Sequence, residues 1–152
     1  MRIRSVTVGP DAIEAHVVFT AGQPLRTSEV PGASERVLSL LPGLRGHRCH
    51  NGRGATFADE LEDTELAHLL EHAALEIMAV SGSPDTLRGR TSWDFRADGE
   101  GVFRVRLEYD DDLVALGALD VAGALVRWLL GGGQAPDVAA EAGRLRGLRT
   151  SG

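Results

Sequence analysis

The segment from Asp59 to Val80 constrains this chain more than any other, because its apolar residues return with the 3.6-residue period of a helix. Leu66, Leu69, Leu70, Ala73, Ile77 and Val80 make one stripe along it. Acids at Asp59, Glu60, Glu62, Asp63 and Glu65 crowd its amino-terminal end, where the helix dipole favours negative charge. Gly82, Ser83 and Pro84 stop it. The spacing therefore predicts a helix from about Phe57 or Asp59 to Val80, with a stripe that must dock on another layer.

The flanking sequence supplies that layer. Ile3 to Val8 and Ile13 to Thr20 read as two strands around the turn signal Gly9-Pro10-Asp11. In the second, Ile13, Ala15, Val17 and Phe19 share one face, with Glu14 and His16 on the other. After the long helix, Thr91 to Ala97 and Val102 to Tyr109 read as a second hairpin around Asp98-Gly99. Trp93 and Phe95 share a face of its first strand; Phe103, Val105, Leu107 and Tyr109 share one of its second, opposite Arg104, Arg106 and Glu108. A helical segment capped near Thr27 or Ser28 ends at Pro42-Gly43. Further helices are predicted from Leu113 to Leu130 and from Pro136 or Asp137 to Arg146. Two β-hairpins forming an antiparallel or mixed sheet covered by helices make a two-layer α+β domain over residues 1–150, with no internal boundary.

Composition narrows the function. Twenty-two acids against 16 basic residues leave a net charge of −6, which argues against a nucleic-acid or anionic-membrane partner. Arg45, Arg48 and Arg53 make one local basic patch, and Arg88 and Arg90 another. The single cysteine, Cys49, excludes a disulfide within the chain. No apolar run approaches a membrane span and the first residues do not form a signal peptide, so a cytoplasmic protein is expected. The glycine-rich stretches match no phosphate-binding pattern.

The chemistry concentrates on the long helix at His68-Leu69-Leu70-Glu71-His72. Residues four apart lie one turn above each other, so two imidazoles can each give a nitrogen to one zinc ion. Glu71 beside them can take a proton from water and return it to a leaving amine. The order His-x-x-Glu-His is that of the inverzincins, the reverse of the commoner HExxH. With Leu66 at zero, His68 and His72 project at roughly 200° and 240°, off the apolar stripe. A solvated face of i,i+4 pairs would carry the same residues.

Two protein ligands are too few, since catalytic zinc sites use three and leave the fourth position open. Glu76 continues the turn repeat and Glu108 ends a strand; both are carried as metal-ligand candidates. Glu76 can instead orient His72 from outside the ligand set. His47, Cys49 and His50 are loop alternatives, and Cys49→Ala is expected to leave metal content largely intact.

LPGLRGHRCHNGRG, then ELEDTELAHLLEHAALEIM, then GVFRVRLEYDD resemble the amino-terminal domain of cyanophycin synthetases over roughly Leu40 to Leu130. That domain is similar to metallopeptidases of the pitrilysin type, and in some members it is thought to act as a hidden zinc peptidase on an arginine-bearing polyaspartate polymer. The resemblance implies zinc ligation by His68 and His72 and general-base catalysis by Glu71. It implies retained roles for Glu76, Glu108, His47 and Cys49 without assigning them. The two ATP-dependent ligase domains that follow in that family are not in these 152 residues, so amino-acid polymerisation is not expected. Analogy with a pitrilysin-like fold, half of which a second copy can complete, makes a homodimer one expectation.

Three functions compete. The first is a zinc-dependent hydrolase of a peptide or amide substrate. The second is a non-catalytic binding or assembly module derived from such a domain. The third is a metal enzyme of another reaction type, since the helix also resembles that of S-ribosylhomocysteine lyase, which uses a cysteine at its metal.

Overall fold

The computed structural model describes residues 1–49 and 56–149. β1 (Arg2–Val8) and β2 (Ala12–Val18) form the first hairpin, with Val8 opposite Ile13 and a bulge between Ile3 and Ser5. A single 3₁₀ turn at Thr27–Glu29 precedes α1 (Ala33–Leu40), and further 3₁₀ turns lie at Pro42–Gly46 and Phe57–Asp59. Then come α2 (Leu66–Val80), β3 (Gly89–Trp93), the one-turn α3 (Phe95–Asp98), β4 (Val102–Glu108), α4 (Asp112–Leu129) and α5 (Val138–Arg146). Asp111 and Asp137 cap α4 and α5 by accepting from backbone N–H groups of their first turns.

The sheet runs β1-β2-β4-β3, antiparallel throughout, so the two hairpins join through β2 and β4. Ile13, Ala15 and Val17 of β2 and Phe103, Val105 and Leu107 of β4 are buried under the helices. α2 lies over β3 and β4, α4 over β1 and β2, and the two helices pack side by side. Glu14 and Arg106 point to solvent on the uncovered face. The architecture is the two-layer α+β arrangement the sequence predicts, with the alternation of β2 and β4 intact.

Three boundaries differ from expectation. The first helix begins at Ala33 behind Gly32, and Thr27 and Ser28 belong to a separate 3₁₀ turn instead of capping it. The long helix begins at Leu66, not at Phe57 or Asp59. Just before it, Thr64 and Glu65 are held extended by another segment. Thr27 N donates to Thr64 O and Thr64 N to Thr27 Oγ1, while Leu66 N donates to Leu25 O. The acids read as first-turn residues are used there instead. Asp63 accepts from Arg26 Nε at 2.7 Å and from Ser28 Oγ at 2.8 Å, and Asp59 closes a capping box on Thr56. The second hairpin's first strand ends at Trp93, because Asp94 accepts from the N–H groups of Arg96 and Ala97 and starts α3. Phe95 therefore leaves the strand face it was expected to share with Trp93, although its ring still meets Phe103 edge-on.

Candidate metal centre

α2 is apolar almost all round, and the face carrying His68, Glu71 and His72 is buried as well. It is not the solvated wall that the angular positions suggest. The loop after α1 folds back over it. Phe57 stacks on His72 with ring centroids 4.0 Å apart and meets His68 edge-on at 5.2 Å. Cys49, from the same excursion, brings its Sγ to 3.5 Å from His68 Nε2, and His72 Nε2 lies 3.1 Å from His68 Nε2. The donor atoms of Cys49, His68 and His72 all lie within 4.8 Å of one another, a grouping that could hold a metal ion.

Each ring is oriented from behind. Thr64 Oγ1 sits 2.9 Å from His68 Nδ1, which leaves His68 Nε2 facing the cluster. His72 Nδ1 lies 3.1 Å from His47 Nδ1, and His47 Nε2 lies 2.7 Å from Glu76 Oε2. A carboxylate at one end of this chain favours a proton on His47 Nε2. His47 Nδ1 is then an acceptor for His72 Nδ1–H, and His72 Nε2 keeps a bare lone pair toward Cys49 and His68.

Burial sets the protonation of these groups. His68 and His72 are held below the usual imidazole range, chiefly by desolvation; in His72 the neighbouring His68 and His47 add to it, to about 2. Both are therefore neutral, the form that donates a lone pair. Burial pushes Glu71 up to about 7, opposed by the hydrogen bond from Thr91. Thr91 Oγ donates to Glu71 Oε1 at 2.8 Å, while Oε2 stands 3.5 Å from His72 Nε2. Glu60, 4% exposed, has no hydrogen-bond partner for either carboxylate oxygen among the described residues, and its charge acts on His68. A cation among the cluster donors would supply the counter-charge that this buried carboxylate lacks.

The candidate ligands therefore fall in different places. His68 and His72 come together with Glu71 beside them. Glu76 stands one turn away, paired with His47. Glu108 belongs to the strand face turned away from α2 and accepts from Arg88 N at 2.8 Å. Neither acid joins the Cys49-His68-His72 group, whereas Cys49, a loop alternative in the sequence, lies within it. His50 and Arg53 lie outside the described residues. Sequence reading missed Thr64, Phe57 and Thr91, which act only through contacts made on folding. Two glycines gave a faint signal. A Cβ at Gly43 would fall inside the Glu76 carboxylate, and one at Gly89 would fall 2.6 Å from Glu71 Cγ.

A cleft of about 1160 Å³ opens onto the cluster, with the loop of His47 and Cys49 on one side and β3 on the other. Fold and site together define an α+β domain with a buried cysteine–histidine cluster at the base of a cleft. The chain belongs to the cyanophycin synthase-like N-terminal domain family, whose model matches residues 16–131. The match runs from His16, within β2, through α4 and takes in every residue of the cluster. The cyanophycin synthetase of Trichormus variabilis is 33% identical over 84 residues, 55% of this chain and 9% of that protein. That of Synechocystis sp. is 33% identical over 87 residues, 57% of this chain and 10% of its own length. That of Crocosphaera subtropica is 31% identical over 87 residues. The alignments thus span about a tenth of these curated relatives.

Proposed function

We infer that this domain is a zinc-dependent hydrolase of a peptide or amide bond. Cys49, His68 and His72 would hold the ion, and Glu71 would be the general base. The donor spacing supports zinc. Tetrahedral geometry with Zn–S near 2.3 Å and Zn–N near 2.0–2.1 Å needs sulfur–nitrogen separations of about 3.5 Å and nitrogen–nitrogen separations of about 3.3 Å. Cys49 Sγ and His68 Nε2 are 3.5 Å apart and the two imidazole nitrogens 3.1 Å, with all three donors within 4.8 Å of one another. Among the described residues three protein donors leave a fourth position for a reactant, the pattern of a catalytic rather than a closed structural site.

The observation that carries the reading is the position of Glu71. Its carboxylate is buried at the edge of the cluster, with Oε1 held by Thr91 and Oε2 turned toward His72. Zinc bound there supplies a Lewis acid that polarises a carbonyl and acidifies water. Glu71 Oε2 takes a proton from the attacking water as the new C–O bond forms. It gives that proton to the nitrogen as the C–N bond breaks. Thr91 keeps the carboxylate in one rotamer through both transfers. A carboxyl whose pKa lies near 7 is suited to both accepting and returning a proton at neutral pH.

The test is peptide hydrolysis by the zinc-loaded chain. Activity is expected in the wild type and should fall by about a hundredfold or more in Glu71→Gln with zinc retained. A second reading, a non-catalytic binding or assembly module, is supported by the match to a small part of much longer synthetases. Under it, zinc-loaded protein hydrolyses nothing and Glu71→Gln changes no function.

A further inference from the structure

β3 is an edge strand of the sheet, and its outer edge borders the cleft above the cluster. Glu108 N donates to Arg88 O, so the hydrogen-bonded pairs between β3 and β4 are Arg88–Glu108, Arg90–Arg106 and Ser92–Arg104. It follows that the N–H and C=O groups of Gly89 and Thr91 point away from β4, into the cleft. These two residues also hold the proposed base. Glu71 packs where Gly89 has no side chain and accepts from the Thr91 hydroxyl. A chain paired to this edge runs directly past the Glu71 carboxylate.

The side chains on this edge carry a charge pattern. Arg88 and Arg90, two residues apart, share the outer face of the sheet and are exposed. Among the described residues neither guanidinium makes a hydrogen bond or ion pair. Arg90 faces Arg106 directly across the β3–β4 pair; Arg106 has Glu14 on its β2 flank and an ion pair to Asp11 at 3.7 Å, whereas Arg90 has no such acid among the described residues. Among the described residues no strand lies on its other flank, so a carboxylate added there would face Arg90 as Glu14 faces Arg106. Such an arrangement is unexpected in a chain of net charge −6.

We propose that the free edge of β3 binds an extended peptide as a fifth strand, with acidic side chains at alternate positions opposite Arg88 and Arg90. This deepens the hydrolase reading by naming its substrate class, a peptide with period-two carboxylates rather than a compact amide or a cationic chain. Main-chain pairing supplies affinity and the arginines supply register.

The experiment measures fluorescence anisotropy of labelled octapeptides on the zinc-loaded Glu71→Gln chain, which needs no turnover. An alternating Asp-Thr peptide should bind at least about tenfold tighter than its Lys-Thr counterpart. Arg90→Gln should weaken the Asp-Thr peptide by about fivefold. Two isomers of that peptide, N-methylated at every Asp or at every Thr, block opposite edges of the added strand. One should lose about tenfold in affinity and the other should keep it. Equal affinities of the two isomers, or equal binding of the Asp and Lys peptides, overturn the proposal whether or not Arg90→Gln folds. Hydrolysis by the zinc-loaded wild type, measured on a mixed peptide pool, reports separately on the hydrolase reading.

Discussion

Glu71 is asked to be both buried and ionisable, and the two demands oppose each other. Its pKa of about 7, against an ordinary 4.5, means that the folded state binds a proton more tightly than the unfolded one. Stability from this group is full below its ordinary pKa and is lost as pH rises through 7. In the metal-free chain, Glu71→Gln should therefore be more stable than wild type by about 3 kcal/mol at pH 8 and about equal at pH 4. Denaturant melts of both proteins at the two pH values check this; an equal difference at both would refute the burial account. His68 and His72 run the other way, since their depressed pKa values withdraw stability as pH falls below the ordinary imidazole range, and the wild-type-to-variant difference removes their contribution. His47 acts from behind His72. Its replacement by Ala should lower zinc affinity by about 10- to 100-fold in a chelator competition without abolishing binding. Total loss would make His47 a ligand. No change would remove the Glu76–His47–His72 chain from the account. At this scale His68, Glu71 and His72 were legible because their spacing lies within one helical turn. Cys49 was legible only as one of several loop alternatives, because only the return of the loop brings it 3.5 Å from a residue 19 positions away. Glu108 was carried as a candidate although its alternation already placed it opposite the core face, and the structure keeps it there, accepting from Arg88 N.

The elements followed from periodicity where one face meets the core. β2 and β4 alternate as expected, and α4 and α5 begin beside the aspartates that cap them. The error at the start of α2 has a physical source. Helix-favouring acids and long-range partners compete for the same residues, and Arg26, Thr27 and Ser28 win Asp63 and Thr64 for an extended pairing. Only the tertiary structure reveals that competition. The seam between α2 and β3 depends on Gly89, where Glu71 occupies the space of a side chain. Gly89→Val should destabilise the domain by about 1–3 kcal/mol through overpacking. It should also lower hydrolysis more than zinc content, because it displaces the base and leaves the ligands. Thermal melts with metal analysis would show this. An unchanged melting temperature with unchanged activity would mean that the seam is looser than the packing indicates.

Across the whole molecule, a four-stranded antiparallel sheet carries α2 and α4 on one face, and the cluster forms where the loop after α1 crosses α2. Among the described residues, no helix is long and apolar enough to cross a membrane. Composition and hairpin signals were enough for the α+β class. The cleft was not legible, because its walls come from segments some 40 residues apart in sequence that meet only in the fold. The account rests on three side chains, one from the loop after α1 and two from α2, acting as one ligand set. Zinc content of the chain, purified without a metal-affinity tag, tests this most directly. One equivalent should be present in the wild type and in Glu71→Gln, and nearly all of it should be lost in Cys49→Ala, His68→Ala and His72→Ala. A folded wild type without zinc and unable to take it up, or a Cys49→Ala variant that keeps a full equivalent, would contradict it.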